Sequence, residues 1–270
     1  MAVKRLRSLV PRPRRDEERS KMIFKSVNKW EETGIAESVD ELIDNQKARE
    51  EKRPIWHLPL MAVDEPHKIR ICHDAAASVG GINLNSLLLG GPNLTNNLAA
   101  VLLLFRATKF IFTTDISGFF HRILVDEDDL DAFRYPFFTD EKMEDIAIKR
   151  FLIHILGSGA SSLISGFVTR HLADAVKDDF PENISTTIRK QFYGGGGDDQ
   201  LDVAVELKSN LKKAMLREGF HLCKWKANHP ALLEPEDGAS QPSVGEKGQN
   251  PKYWGSRGIP LRMFFVSSWT

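Results

Sequence analysis

Aspartates at two positions along this sequence are candidates for binding a divalent metal ion. The first is a single residue, Asp115, which ends an apolar run that begins at Lys109 and is typical of a buried strand. The second cluster, Asp198 and Asp199, follows a glycine run far downstream. Because Mg²⁺ prefers carboxylate oxygens, we interpret Asp115, Asp198 and Asp199 as catalytic carboxylates that meet over metal, with Asp115 and Asp198 as ligands.

Each of these residue patterns also has a purely structural explanation. An Asp at a strand end is more often a cap or turn residue, by about two to one before other information is used. The acidic run at residues 126–131 is typical of an exposed face. A zinc site at His57, Cys72 and His73 is excluded because no fourth ligand has suitable spacing.

Composition describes an ordinary globular protein of 270 residues with a formal net charge of zero. This neutral balance counts against a nucleic-acid partner, since such domains are often basic. The two cysteines, Cys72 and Cys223, form no close-spaced redox or metal pair. No apolar run reaches the roughly 18 residues of a membrane span, and the first residues lack the apolar core of a secretory signal. We therefore expect a cytoplasmic or nuclear protein without a membrane partner.

Helical and strand patterns alternate along the chain. Apolar spacing predicts helices at residues 23–30, 94–105, 161–176 and 207–215. Alternating or continuous apolar runs predict strands at residues 55–63, 68–73, 109–115, 150–155, 184–193 and 220–225. Residues 1–20 are predicted to be a disordered basic tail, and residues 37–52 a loop or a loosely held helix. This order favours an α+β fold, in which an antiparallel sheet carries helices on one face.

Residues 115–123 resemble motif A of retroelement reverse transcriptases, most closely those of BEL/Pao retrotransposons. Further segments resemble the same family in the same order. They are residues 68–70 with Asp74 in the fingers, residues 84–85 and 91–96 before the first palm helix, residues 154–167 as motif B, residues 219–228 as motif D, and, weakly, residues 253–255 as a primer grip. The resemblance covers most of the chain.

The resemblance implies an RNA-directed DNA polymerase with a palm and fingers. It assigns residues 21–92 and 121–155 to the fingers, and residues 93–120 and 156–260 to the palm. Residues 261–270 would be a truncated C-terminus, with the thumb missing. Such an enzyme uses two Mg²⁺ ions, or Mn²⁺, to add deoxynucleotides to an RNA or DNA template-primer. Paired metal ions activate the 3′-hydroxyl and neutralise the leaving pyrophosphate.

The resemblance also implies roles for individual residues beside the carboxylates. The carbonyl of Ile116 would add a metal ligand, and Phe120 would stand at the steric gate that selects deoxynucleotides. Gly157 would let the backbone approach the nucleotide, and Lys224 or Lys226 would protonate the leaving group. Triphosphate contacts fall to Lys68 and Arg70, and nucleic-acid contacts to Tyr253, Trp254 and Gly255.

The glycine run departs from the family's motif C, which has an aromatic residue, any residue and then two aspartates. In one alignment three glycines are inserted, and Asp198 and Asp199 remain the catalytic pair. In the other, Gly195 and Gly196 occupy the carboxylate positions. Spacing to the turn at Gly219 favours the second alignment. Two further hypotheses therefore stand beside the polymerase: a catalytically dead relic that at most binds nucleic acid or a protein partner, and a metal-dependent hydrolase supported by the carboxylates alone.

Overall fold

The structure is a computed structural model that describes residues 1–10, 16–66, 68–190 and 195–238. The predicted contacts at Tyr253, Trp254 and Gly255 lie outside these ranges. Eight helices are described: α1 (Ala2–Leu9), α2 (Glu17–Glu32), α3 (Glu41–Glu50), α4 (Leu84–Leu87), α5 (Leu98–Ala107), α6 (Ser161–Val176), α7 (Glu182–Lys190) and α8 (Leu201–Arg217). Eight strands are described: β1 (Ala36–Ser38), β2 (Leu60–Glu65), β3 (Lys68–His73), β4 (Phe110–Ile116), β5 (Arg134–Phe138), β6 (Ile146–Phe151), β7 (Gly195–Asp198) and β8 (Leu222–Ala227).

Within the described ranges the strands form three antiparallel sheets. Their strand orders are β1-β6-β5, β2-β3 and β7-β4-β8. The hairpin β2-β3 pairs Leu60 with His73 and Glu65 with Lys68. Strand β4, which carries Asp115, is the central strand of the third sheet. Helices and antiparallel sheets together confirm the predicted α+β class.

The long helices form where the sequence places both an apolar face and end signals. Helix α2 is capped by Asp16, whose side chain accepts from the Arg19 amide at 3.0 Å, and its buried residues include Ile23 and Val27. Helix α8 is followed by Gly219, whose φ of 86° is a conformation that glycine adopts readily.

One buried ion network links the β5-β6 sheet to the α3 region. The Arg134 guanidinium is fully buried; it donates to Asp131 at 2.9 Å and also contacts Asn45. Arg150 on β6 reaches the same Asp131 at 3.0 Å and Glu37 at 2.6 Å. Buried charges need such partners, because an unpaired one is expensive.

Two sequence predictions are wrong in this part of the molecule. Residues 2–9 form helix α1 with Leu6 buried, so the predicted disordered tail is helical where it is described. The predicted strand at residues 184–193 is helix α7 up to Lys190. For residues 37–52 the helical alternative is correct, since Glu41–Glu50 form helix α3, capped by Asp40.

No helix in the described ranges combines the length and apolar character needed to cross a membrane.

Candidate functional site around Asp115

Asp115 lies near the end of β4, where its pairing with β8 is irregular. The register between the two strands shifts between Thr113 and Asp115, and Asp115 is then opposite Cys223. The Thr114 hydroxyl donates to the Cys223 carbonyl at 2.9 Å and so bridges the irregularity. The Asp115 side chain remains 56% exposed. A bulge of this kind re-aims side chains, and here it presents a carboxylate at the sheet surface.

Lys224 is the partner of this carboxylate. Its Nζ donates to Asp115 Oδ2 at 2.7 Å, while Asp115 Oδ1 accepts from the Ile116 amide at 2.9 Å. Lys224 has a φ of 54°, an uncommon left-handed conformation for a residue other than glycine. The hydrogen bond and the negative charge of Asp115 raise the pKa of Lys224. Since the Lys224 side chain is 74% exposed, the pair contributes little to stability.

The substitution Asp115→Asn is expected to lower the pKa of Lys224 towards its ordinary range, because it removes the charge that favours the ammonium form. An NMR titration that follows the Lys224 side-chain carbon resonances measures this change. Asp202→Asn, at an exposed position on α8, is the matched control and should leave the Lys224 titration unchanged. A Lys224 pKa that is the same in Asp115→Asn and in the parent chain would contradict the pairing.

Arg70 on β3 lies close enough to Lys224 for its positive charge to lower the pKa of that lysine. The structure thus brings Lys224 into contact with Asp115, with Arg70 within electrostatic range of Lys224. Both predicted triphosphate-binding residues share one carboxylate, Glu65, with contacts of 2.6 Å from Arg70 and 3.3 Å from Lys68. Three exposed cations, Lys68, Arg70 and Lys224, are thus balanced by two carboxylates, Glu65 and Asp115.

Phe120 and Gly157 lie on the segments that follow β4 and β6. The half-buried Phe120 ring packs 5.3 Å from His154 and 5.2 Å from Phe119. Gly157 has a φ of 92°, and a Cβ built there would meet no atom within 4 Å. Its carbonyl accepts from the Asn85 side chain at 3.4 Å. The backbone at Gly157 is therefore open on one side, as the prediction of a close approach by a ligand requires.

Asp198 and Asp199 are at the opposite end of β4 from Asp115. Strand β7 pairs antiparallel with β4, with Asp198 opposite Phe110 and Gly195 opposite Thr113. Phe110 is five positions before Asp115, a separation of roughly 17 Å at the usual rise of a strand. The structure therefore does not bring Asp198 and Asp199 together with Asp115.

The two aspartates instead hold the turns around them. Asp199 Oδ1 accepts from the Lys109 amide at 2.9 Å, and Asp198 Oδ1 accepts from the Gln200 amide at 2.9 Å. These contacts fix the backbone just before β4 and just before α8. Such local bonds to backbone amides are a common role of aspartate in turns.

No second carboxylate reaches Asp115 from the β7 side. Residues 183–197 contain neither Asp nor Glu. Among the residues that the structure describes, no three His, Cys, Asp or Glu side chains are grouped to hold a metal ion. Ile116 lies in the strand ladder opposite Leu222. One lysine-paired carboxylate does not fit the donor set of two Mg²⁺ ions, which use several oxygen ligands.

The glycine run allows β7 to approach β4 very closely. A Cβ at Gly195 would lie 2.6 Å from the Phe112 carbonyl oxygen and 2.7 Å from the Phe105 ring. A Cβ at Gly197 would lie 2.3 Å from the Phe110 carbonyl oxygen. Gly195 and Gly196 pair with Thr113 and Phe112. Sequence reasoning weighed these glycines only as lost ligands or insertions, whereas their packing requires the absence of a side chain.

The chain was compared with protein-family models and with curated proteins, and neither comparison found a match.

Proposed function

We propose that this chain is a reverse-transcriptase-like domain that binds nucleic acid without catalysing two-metal polymerisation. The observation that carries the proposal is the register of β7 on β4, which places Asp198 at the opposite end of β4 from Asp115. In this proposal the β7-β4-β8 sheet with α6 and α8 corresponds to the palm. The β2-β3 hairpin and the β1-β6-β5 sheet correspond to the fingers.

The order of the family-like segments supports the reverse-transcriptase-like part of the proposal. Asp115 ends the central strand of an antiparallel sheet, and helix α6 begins just after Gly157. Arg70 of the hairpin is within electrostatic range of Lys224. With Lys68 these residues present three cations against the carboxylates Glu65 and Asp115, an excess of positive charge that suits phosphate groups.

The electrostatics of the Asp115 pair argue against two-metal chemistry. Phosphoryl transfer needs metal ions to activate the nucleophile and to neutralise the leaving group. At Asp115 the ammonium of Lys224 already holds one carboxylate oxygen at 2.7 Å. A divalent ion there would have to displace this lysine, and the positive charge of Arg70 would repel the ion. A lone carboxylate supplies too few ligands for that exchange.

The second candidate is an active RNA-directed DNA polymerase that uses Mg²⁺ or Mn²⁺, deoxynucleotides and an RNA or DNA template-primer. The contact of Lys224 with Asp115 favours it, because such an enzyme needs cations for the triphosphate near its first carboxylate. It also needs a second carboxylate beside Asp115. Asp198 and Asp199 would have to move by most of the length of β4 to provide one.

Primer extension and binding, measured on the same protein, test the proposal. We expect no template-directed extension of a primed RNA with Mg²⁺ or Mn²⁺, and measurable binding of the same RNA by fluorescence anisotropy. The combined substitution of Lys68, Arg70 and Lys224 by Gln should weaken binding. It should also make the plot of log binding constant against log salt concentration less steep, by about one unit of slope for each lost phosphate contact.

The matched control substitutes three exposed cations away from this surface by Gln, namely Lys25, Lys47 and Arg49. It should bind nearly as the parent does. Metal-dependent extension that is lost in Asp115→Asn and in Asp198→Asn/Asp199→Asn would establish the polymerase instead. Equal RNA binding by the two triple variants would contradict the proposed surface.

A further inference from the structure

A cavity of about 200 Å³ lies among the segment before α5, helix α6 and helix α7. Its walls come from three places in the sequence. The lining residues are Leu94, Thr95, Asn96, Ser165, Gly166, Thr169, Arg170 and Arg189. None of them belongs to the surface around Asp115. The cavity therefore does not depend on the function proposed for that surface.

The walls of this cavity are tied to one another. Gly166 lets α6 approach Leu94 so closely that a Cβ there would lie 2.5 Å from the Leu94 Cβ. The Arg170 guanidinium donates to the Leu94 carbonyl at 3.4 Å. Asn96 donates from its amide to the Arg189 carbonyl at 3.1 Å. A cavity held by contacts among all three segments is largely formed before a ligand arrives, as binding sites usually are.

The charge of the cavity is positive. Two guanidinium groups line it, and no Asp or Glu is among its lining residues. Arg189 is paired at the surface with Asp174, and both side chains are substantially exposed. An exposed pair of this kind is weak, so the Arg189 guanidinium can turn towards a bound anion at little cost.

Hydroxyl groups add polar atoms to a lining that is otherwise largely apolar. Thr169 is buried and donates to the Ser165 carbonyl at 2.7 Å, while the Thr95 hydroxyl lies against the Asn93 side chain. These hydroxyls can rotate to donate to a different acceptor. The cavity is also smaller than the roughly 300 Å³ at which sites for drug-sized ligands begin. Its size suits a small anion or one group of a larger molecule.

We propose that this cavity binds a phosphate group, held between Arg170 and Arg189. A guanidinium matches two phosphate oxygens with two parallel N–H donors. The phosphate can come from a free anion or nucleotide, or from the backbone of a nucleic acid. The chemistry of recognition is the same for both sources.

Isothermal titration of the whole chain with inorganic phosphate at low salt tests the site. Arg170→Gln and Arg189→Gln should each weaken phosphate binding about tenfold, as the loss of one charged bidentate contact does. Asp174→Asn releases Arg189 from its partner and should tighten binding. Arg106→Gln, an exposed arginine on α5 outside the cavity, is the matched control and should bind as the parent does.

A second arm measures binding of a single-stranded RNA by the same variants. If the Arg170 and Arg189 variants bind inorganic phosphate more weakly, the site is supported with a free phosphate as its ligand. If these variants lose affinity for RNA alone, the site is supported with the nucleic-acid backbone as the source of the phosphate. Unchanged binding in both arms, with circular dichroism showing folded variants, overturns the proposal. All of these variants keep Lys68, Arg70 and Lys224, so a loss of binding in them is separate from the Asp115 surface.

Discussion

Aspartates introduced together at Gly195 and Gly196 are expected to unfold this chain and not to rebuild a metal site. Overpacking a well-packed interior costs about 1–3 kcal/mol for each position. A buried carboxylate without a partner adds several kcal/mol more. Because domains are stable by only about 5–15 kcal/mol, the double substitution should remove most or all of the free energy of unfolding.

The packing around the two glycines explains this size of effect. A Cβ at Gly195 would lie within 2.7 Å of the Phe112 carbonyl oxygen and the Phe105 ring, and the carbonyl oxygen cannot move without disturbing β4. A Cβ at Gly196 would lie 2.9 Å from the Phe112 ring and 3.3 Å from Leu207. Both glycines are buried. Their surroundings are apolar side chains and backbone, which leave no room for a carboxylate and its metal.

Urea unfolding followed by circular dichroism measures the loss for Gly195→Asp and Gly196→Asp, singly and together. Gly90→Asp is the matched control, because Gly90 is exposed and a Cβ there would meet nothing closer than 3.8 Å. It should stay within about 1 kcal/mol of the parent. A folded double variant that binds Mn²⁺, detected by paramagnetic relaxation, would contradict the prediction. It would show that the carboxylate positions of an active palm are still open.

The elements that sequence reasoning predicted correctly are those with long apolar periodicity. Helices α2, α6 and α8 and strand β4 each carry several apolar residues at a regular spacing. A long pattern of this kind indicates the type of element well. Helix α7 was missed because Ile184, Thr187 and Ile188 are β-branched and favour a strand locally. All three are buried at helical spacing, and packing of α7 on its neighbours determines the outcome.

The candidate site was predictable only in part. The position of Asp115 at a strand end follows from the sequence, since the apolar run stops there. The pairing of β7 with β4 does not, because consecutive glycines have no side chains whose alternation would fix a register. The close contact of Lys224 with Asp115 depends on the irregular pairing near Asp115. A single strand's sequence does not encode that irregularity.

Acidification from pH 8 to pH 5 is expected to destabilise the chain by about 4 kcal/mol through two buried histidines. His154 is 1% exposed, and burial lowers its pKa from 6.5 to about 3. The His73 ring packs against Phe151 at 4.3 Å and Trp30 at 5.3 Å. Burial, with a smaller effect of the His121 charge, lowers the pKa of His73 to about 3 as well.

The sign of the effect follows from which state binds more protons. Both histidines have folded-state pKa values below that of an unfolded chain, so the fold stabilises their neutral forms. That stabilisation is fully present above about pH 6.5 and is lost as the pH falls towards 3. Each histidine lowers the free energy of unfolding by about 1.4 kcal/mol per pH unit inside this window. At pH 5 this amounts to about 2 kcal/mol for each.

Urea unfolding at pH 8, 6.5 and 5 measures this loss of unfolding free energy. The variants His154→Gln and His73→Gln show how much of the loss comes from each histidine. Each substitution should reduce the difference in unfolding free energy between pH 8 and pH 5 by about 2 kcal/mol, and the double variant should lose most of it. Carboxylates stay largely ionised above pH 5, so they contribute little in this range. A double variant with the same pH dependence as the parent would contradict the assignment to these histidines.

Protonation of His154 should also affect the candidate site. Its Nε2 lies 3.2 Å from the Ser161 hydroxyl and 3.4 Å from that of Ser158, on either side of the turn that follows Gly157. With one proton on Nε2, a second proton falls on Nδ1, a buried atom with no hydrogen-bond partner among the described residues. Protonation should therefore release that turn before the whole chain unfolds. Amide exchange catalysed by hydroxide slows about tenfold for each unit by which the pH falls. We therefore expect hydrogen exchange at residues 157–161 to slow between pH 6.5 and pH 5 by less than this chemical trend, and His154→Gln to restore the full slowing.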